Sequence, residues 1–188
     1  MATRTWLGTA RAVAQVTTAQ VTAYDVATTY KLTVNGSVIS VIAAGGVNAT
    51  ATALAAAWNL STTPEFAEIT ASAATDTVTL TGDTLGKPFT VASSVTSGTG
   101  TIGAVSTTTA ATGPNHFDAT ANWSGGTVPT GGDTVIFGNN VDMLYAIDQN
   151  ATTFAEVRVE KRHTGKIGLP IRNSSGYTEY RETYFKCG

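Results

Sequence analysis

Residues 115–137, which read NHFDATANWSGGTVPTGGDTVIF, constrain the fold of this chain more than any other stretch. Two Gly-Gly pairs and a Val-Pro step precede Asp133, and Asp133 leads directly into the apolar residues 135–137. Glycine and proline favour turns, whereas a short run of β-branched and aromatic residues favours a strand. We therefore predict that this stretch turns the chain out of a small first domain and into a β-rich second domain.

Charge is sparse and unevenly divided along the chain. Charged residues make up 13% of the 188, about half the roughly 25% typical of globular domains, while threonine is the commonest residue. Residues 1–111 hold four Lys and Arg and five Asp and Glu, and residues 112–188 hold seven and eight. With a net charge of -2 and no basic run, the sequence gives no indication of nucleic-acid binding. This composition favours a hydroxyl-rich β protein that contacts other proteins.

Residues 1–111 are predicted to form an N-terminal arm followed by a small α+β domain of order β-β-α-β-β-β. Residues 3–22 indicate an extended arm or one to two edge strands. Alternating apolar residues on either side of Asn35-Gly36 predict a hairpin over residues 30–42. Further elements follow from periodicity and composition: a helix over residues 51–60 capped by Asn48 or Thr50, and strands over residues 66–71, 77–81 and 89–95.

Residues 97–113 have the composition of a linker, and we place a domain boundary near Ala111. A weak strand over residues 101–105 is the alternative. In residues 112–188, short strand patterns recur about every ten residues between Asn- and Gly-rich corners, at residues 134–137, 143–147, 153–159 and 166–169. This regularity predicts a β-roll or a short β-solenoid-like domain, so that the whole chain is mainly β.

Candidate chemical sites are few, and we expect no enzyme activity, cofactor or metal. The glycines of residues 98–103 match the dinucleotide-binding pattern GxGxxG, but no helical pattern follows, so a flexible glycine linker is the preferred interpretation. His116 and Asp118 lack the partners of a metal site. Glu156 and Glu160 lie on one face of a strand as a glycosidase pair could, although we expect them to be a salt-bridged face.

That strand, in residues 153–159, also contains Val157 and Val159. Because they alternate with the charged residues, we predict that the valine side is buried and that Glu156, Arg158 and Glu160 face water. Cys187 has no partner cysteine within the chain, and a thiol without a role is the preferred interpretation.

Aromatic residues are the remaining candidates, as structural or interface residues rather than as catalysts. They are Trp6, Trp123, Tyr177, Tyr180, Tyr184 and Phe185. The sequence contains no secretory signal pattern and no apolar stretch of the roughly 20 residues that span a bilayer, so we expect synthesis in a cytoplasm and no membrane partner.

Two groups of motifs resemble known proteins. The motif PEFAEIT of residues 64–70, with TVTLT of residues 77–81 and GKPFTV of residues 86–91, resembles a small domain of uncharacterised virion proteins of tailed bacteriophages. The motif GPNHF of residues 113–117, with ANWS of residues 121–124, Val128-Pro129 and Gly132-Asp133, is similar to the segment that opens β-solenoid regions in those proteins and in bacterial autotransporters. Autotransporters carry export signals, so the absence of a signal pattern favours the phage family.

This resemblance implies a virion structural protein, either a capsid decoration protein or a head-fibre protein. Its expected partners are the major capsid protein and copies of itself, as a homotrimer, with the virion as its location. The alternative is an adhesion or carbohydrate-binding module of a tail fibre, in which Trp123 and the tyrosines would stack on sugars. A sugar hydrolase acting through Glu156 and Glu160 is a third, weaker hypothesis.

Overall fold

A computed structural model describes residues 1–188 and has one α-helix, two short 3-10 helices and thirteen strands. The 3-10 helices are Phe66–Glu68 and Thr120–Asn122. In chain order the other elements are β1 (Thr3–Thr5), β2 (Val16–Ala23), β3 (Thr29–Val34), β4 (Ser37–Ile42), α1 (Val47–Leu60), β5 (Ile69–Ala74), β6 (Thr77–Gly82), β7 (Ala92–Thr96), β8 (Thr101–Ile102), β9 (Ser106–Thr109), β10 (Thr134–Phe137), β11 (Asp148–Gln149), β12 (Glu156–Val159) and β13 (Lys186–Cys187). The predicted mainly β fold with one small helix is confirmed.

The chain divides into two compact units, and each is built from segments that are separated in sequence. The first unit contains Met1–Val13, Leu85–Lys87 and Ala111–Gly188, and the second contains Ala14–Thr84 and Pro88–Ala110. The predicted boundary near Ala111 matches one of these divisions. The predicted domain over residues 1–111 differs from the structure, because the N-terminal arm belongs to the first unit.

The second unit consists of two antiparallel sheets and α1. One sheet has the order β4-β3-β7, and the other has the order β5-β6-β2-β8 with β9 also paired to β2. The predicted hairpin is β3 and β4, and its turn residues Asn35 and Gly36 have φ of 50° and 80°. Two successive positive φ angles match the right-handed twist of the strands, which is why an Asn-Gly turn fits here.

Helix α1 packs against β5 and β4, and also against β2 and β6. Leu54 and Trp58 of the helix are buried, and the Trp58 ring packs edge-on against Phe66 at 4.7 Å. The helix begins at Val47, earlier than predicted, and Asn48 and Thr50 lie inside it rather than capping it. The Thr50 hydroxyl instead accepts a hydrogen bond from the Ala44 N–H at 3.1 Å.

Two strands of the second unit begin later than predicted. Residues 66–68 form a 3-10 turn because the Thr63 carbonyl accepts from the N–H groups of Phe66 and Ala67, so β5 starts at Ile69. The backbone N–H and C=O of Phe89 both bond to the side-chain amide of Gln15, at 3.1 and 2.7 Å. Phe89 is therefore fixed by a side chain, and β7 starts only at Ala92.

The predicted flexible linker over residues 97–113 is wrong. Residues 101–102 form β8 and residues 106–109 form β9, and both pair antiparallel with β2. The weak strand that was the alternative interpretation lies close to β8. Threonine-rich sequence with few large apolar residues forms strands here because β2, which is distant in the chain, supplies the paired edge.

The first unit is built from parallel strands. The order β1-β10-β12 forms one ladder, in which Thr134 pairs with Thr3 on one side and with Glu156 on the other. A second parallel pair joins β11 to β13. Of the other predicted strands here, residues 143–147 and 166–169 form no continuous strand and meet only at the isolated bridge Met143–Ile167. Parallel stacking of successive turns is the pairing that a β-solenoid-like unit requires.

Candidate functional site

A buried aromatic cluster occupies the core of the first unit. The rings of Trp6 and Trp123 meet edge-on with centroids 5.0 Å apart, and Phe117 packs on Trp123 at 4.9 Å. Both indole N–H groups donate to backbone carbonyls, that of Trp6 to Val141 at 3.2 Å and that of Trp123 to Phe117 at 2.6 Å. The polar atoms of both tryptophans are therefore satisfied inside the protein, as buried indoles require.

Of the two roles predicted for Trp6 and Trp123, structural or interface, this burial leaves only the structural one. Their exposed fractions are 0% and 1%, so neither side chain can stack on a sugar or contact a partner. Phe185 also joins the cluster, half-buried, 5.6 Å from Phe117 and stacked on Phe154 at 6.3 Å. The three residues hold the first unit together, and the glycan-binding alternative loses its main aromatic platform.

Tyr177 and Tyr180 belong to a different group of side chains, which is centred on Arg181. The guanidinium lies 4.3 Å from the centroid of the Tyr180 ring and donates to the hydroxyls of Tyr180 at 2.9 Å and of Tyr177 at 3.2 Å. It also forms an ion pair with Glu179 at 2.8 Å. The side chains of Arg181 and Glu179 are 8% and 1% exposed, so this is a buried, charged network.

The charges in this network stabilise each other. Burial raises the pKa of Glu179, but hydrogen bonds from Asn173 and Arg181 outweigh it and hold that pKa below its ordinary value. Burial likewise lowers the pKa of Arg181, and the oxygens of Tyr180, Tyr177 and Glu179 together raise it above its ordinary value. The sequence analysis did not identify Glu179 or Arg181. Their only signal was their position beside the tyrosines, in the segment YTEYR.

Of the six aromatic candidates, Tyr184 alone is largely exposed, at 63%. The ammonium group of Lys186 lies 5.5 Å from the centroid of its ring. Cys187, one residue further on, is exposed and is not in a disulfide. These exposed side chains could contact another protein, but they do not form a catalytic or ligand-binding group.

Asp133, which lies in residues 115–137, fixes the N-terminus. Its carboxylate accepts hydrogen bonds from the backbone N–H groups of Ala2 at 2.7 Å and Thr130 at 3.1 Å, and the Arg4 side chain lies 3.7 Å away. These N–H groups, with a smaller contribution from the Arg4 charge, hold the pKa of Asp133 below its ordinary value. The Gly-Asp step before β10 is thus an attachment point for β1.

The two histidines lie in different environments. His116 is buried, and its Nε2 is 2.8 Å from the Gly86 carbonyl, while its Nδ1 is 3.5 Å from a carboxylate oxygen of Asp118. A hydrogen bond from His116 lowers the pKa of Asp118. The ring of His163 lies 5.9 Å from that of Phe137, and neither of its nitrogens has a hydrogen-bond partner. No cluster of three or more His, Cys, Asp or Glu side chains is placed to hold a metal ion.

Asn122 is a structural residue that the sequence analysis missed. It is fully buried, and its amide group donates to the carbonyls of Gly113 and His116, each at 2.8 Å. Its carbonyl oxygen accepts from the Ala10 N–H at 2.7 Å. The asparagine of the ANWS motif therefore supplies hydrogen bonds to backbone groups that would otherwise be buried without partners.

The prediction for Val157 and Val159 is wrong. These valines are 38% and 56% exposed, and every residue of β12 is exposed. Glu160 is ion-paired with Arg162 at 2.8 Å and with Arg158 at 3.7 Å, so its carboxylate is already occupied. Strand β12 is the last in its ladder, which leaves its valine side uncovered.

The GxGxxG segment is a tight turn rather than a phosphate site. The N–H of Thr99 donates to the Asp25 carboxylate at 2.7 Å, and the N–H of Gly100 donates to the Thr28 hydroxyl at 2.8 Å. The backbone donors that a phosphate would need are therefore already used. A Cβ at Gly100 would lie 2.1 Å from the hydroxyl oxygen of Tyr30, so close packing accounts for the glycine.

A shallow cavity of about 380 Å³ lies in the second unit at the C-terminal end of α1. Its lining residues are Trp58, Asn59, Ser61, Phe66, Ala67, Ile69, Thr70 and Asp83. The polar groups in this wall are engaged: the Asn59 amide bonds both backbone groups of Ala71, and the Thr70 hydroxyl bonds Asp83 at 2.7 Å. The cavity therefore presents few free groups to a ligand.

Comparison with known proteins adds no assignment. No protein-family model and no curated protein matches this sequence. No helix of the structure is long and apolar enough to cross a lipid bilayer.

Proposed function

We propose that the chain is a structural protein of a phage virion, which binds the capsid surface as a decoration or head-fibre protein and acts by shape rather than by chemistry. The resemblance of its motifs to virion proteins motivates this proposal. The observation that carries it is a broad, uncharged, hydroxyl-rich sheet face in the second unit.

The sheet face is defined by the register of four strands. Ser72, Thr79, Thr18 and Ser106 pair in one row across β5, β6, β2 and β9. A parallel row contains Thr70, Thr81, Val16 and Thr109. Because paired residues project to the same side of a sheet, these side chains form one face. The outer members of both rows are exposed and none of the eight is charged.

A face of this kind suits attachment to another protein. Hydroxyl groups can exchange hydrogen bonds with water for bonds with a partner, and the eight residues of the face carry no charge to desolvate. A carboxylate lies only at its rim, where Asp83 accepts a hydrogen bond from the Thr70 hydroxyl at 2.7 Å. A stable attachment needs on the order of 1,000 Å² of buried area or more. A flat face of several strands can provide contact over such an area.

The N-terminal arm no longer supports this function. An extended arm could reach a neighbouring protein, but β1 pairs with β10 and Trp6 is buried in the first unit. The proposal therefore rests on the threonine-rich face. The predicted homotrimer stays a prediction, and the mass in solution tests it.

The first test is the presence of the chain in particles. Mass spectrometry of purified virions and empty heads from the source of the sequence should detect it at a fixed ratio to the major capsid protein. Its absence from both preparations would refute the proposal.

The second test addresses the binding face. Purified protein should cosediment with heads that lack it, and the double variant Ser72→Lys with Ser106→Lys should lose this binding, because two buried, unpaired ammonium groups would oppose contact. The matched control places the same two charges at exposed threonines of the first unit, Thr120→Lys with Thr164→Lys, and should bind normally. Equal binding by both variants would exclude the threonine-rich face.

A further inference from the structure

The parallel ladder of the first unit has one open end. Strand β12 pairs with β10 along one edge, and no strand pairs with its other edge. An unpaired edge presents backbone N–H and C=O groups that can bond to another strand. Such edges are commonly protected by charges, bulges or a covering segment.

The apolar interior of the first unit continues to this open edge. In the ladder, Val135 pairs with Val157 and Phe137 pairs with Val159. Paired residues of parallel strands project to the same side, so both valines extend the side on which Val135 and Phe137 are fully buried. The apolar column therefore ends at two partly exposed valines instead of a polar cap.

The opposite end of the ladder, at β1, is covered at Thr5. The N–H of Leu7 donates to the Asn122 carbonyl at 2.7 Å, and the N–H of Ser124 donates to the Thr5 carbonyl at 2.9 Å. The Ser124 hydroxyl also accepts from the Thr5 N–H at 2.9 Å. These bonds use the outer backbone groups of Thr5 and leave only those of Thr3 open in β1, whereas the outer edge of β12 is open along its whole length. The longer edge that this ladder offers to a second copy of the chain is therefore β12.

We propose that β12 pairs antiparallel with β12 of a second copy, about a two-fold axis at Val157. This pairing places Val157 opposite its counterpart, and it places Glu156 of each copy opposite Arg158 of the other. Directly opposite residues of unlike charge stabilise an antiparallel pair, whereas like charges oppose it. The segment Glu156-Val157-Arg158 is self-complementary in this register.

The charges on the strand favour this register over the neighbouring one. Glu156 has no ion-pair partner within the chain, whereas Glu160 is already paired with Arg162 and Arg158. Pairing about Val157 therefore places the Arg158 guanidinium of the other copy opposite Glu156, the carboxylate that has no cation within the chain. It also brings the exposed valines of the two copies to one side, so both apolar columns become continuous across the axis.

The contact is small, because β12 has only four residues. Interfaces below about 1,200 Å² are typical of weak or transient complexes. We therefore expect a dimer that dissociates on dilution. This inference does not depend on capsid binding, and failure of either leaves the other standing. A two-fold dimer is an alternative to the homotrimer that the resemblance implies, and the mass in solution distinguishes the two.

Sedimentation velocity of the whole chain over a dilution series tests the pairing. The expected result is a species of twice the 19.3 kDa chain mass at high concentration, which shifts to the monomer on dilution. A monomer at every concentration, or a trimer, would overturn the proposal.

Charge variants then test the register. Arg158→Glu should abolish the dimer, because it places carboxylates opposite each other, and the swap Glu156→Arg with Arg158→Glu should restore it. The control Arg11→Glu makes the same charge change at an exposed arginine of the first unit and should dimerise normally. Circular dichroism establishes that each variant is folded. A dimer that survives Arg158→Glu, or a folded swap variant that stays monomeric, would contradict the pairing.

Discussion

Replacing Trp6 by alanine should remove most of the stability of the first unit. Trp6 is fully buried, with its ring 5.0 Å from Trp123 and 6.4 Å from Phe137. Truncation of a buried tryptophan to alanine costs about 3–5 kcal/mol, through lost apolar transfer and the cavity that remains. The Val141 carbonyl also loses its indole donor, which adds about 1 kcal/mol for an unsatisfied buried acceptor.

The expected loss of about 4–6 kcal/mol is comparable with the whole stability of a small domain, which is about 5–15 kcal/mol. Hydrogen exchange measures it separately in the two units. In Trp6→Ala, the amides of β10 in the first unit should lose most of their protection, whereas those of β6 in the second unit should keep theirs. Leu7→Ala is the matched control, because Leu7 is the next residue and is 40% exposed; we expect a change within about 0.5 kcal/mol.

The assignment of β1 to the core of the first unit would be refuted by a loss below about 1 kcal/mol in Trp6→Ala, since truncation of a fully buried tryptophan costs more. It would also be refuted by equal loss of protection in β6 and β10. Such results would mean that residues 1–13 do not complete this core.

Three further changes test the contacts that fix the two units. Hydrogen bonds depress the pKa of Asp133, so its contribution to stability is present above the ordinary carboxyl pKa of about 4 and is lost as pH falls through the folded value. In chemical denaturation, Asp133→Asn should therefore lower the free energy of unfolding of the first unit near neutral pH. It should also make that free energy less sensitive to acid than in the wild type. Arg181→Met leaves Glu179 buried without its cation, which should cost about 3–5 kcal/mol in urea denaturation, and adding Glu179→Gln should recover part of that loss. Gly100→Ala should lower the melting temperature of the second unit by several degrees, since the new Cβ would overlap a tyrosine hydroxyl, whereas Gly131→Ala, where a Cβ fits, should not.

Local patterns predicted the elements whose partners are close in sequence. The hairpin of β3 and β4 joins adjacent segments through Asn35-Gly36, and turn chemistry alone specifies it. Strand β10 was predicted with its observed bounds, because glycines and Asp133 precede a short apolar run. In both cases the residues that decide the structure lie within a few positions of the element.

Elements whose partners are distant could not be predicted in this way. Residues 106–109 read as a linker because nothing within them indicates that β2 supplies their hydrogen bonds. The exposure of Val157 was missed for the opposite reason. Alternation shows which side of β12 is apolar, but only the ladder order shows that no strand follows to cover it.

The candidate site was the least predictable part of the structure. Aromatic content identified Tyr177 and Tyr180, but their hydroxyls serve the buried guanidinium of Arg181 instead of an outer surface. Nothing in the spacing of residues 177–181 distinguishes these two arrangements. Burial decides between them, and burial depends on the whole unit.

The order of the chain explains how the two segments of the first unit meet. The Ala2 N–H donates to Asp133, 131 residues later, and closing so long a loop has a large entropy cost. The second unit reduces it, because its first strand pairs with its last: Val16 of β2 lies opposite Thr109 of β9. Its folding therefore brings its own two ends together, as in a domain inserted into another. Residues 1–13 and 111–188 can then complete one aromatic core although a folded unit lies between them in sequence.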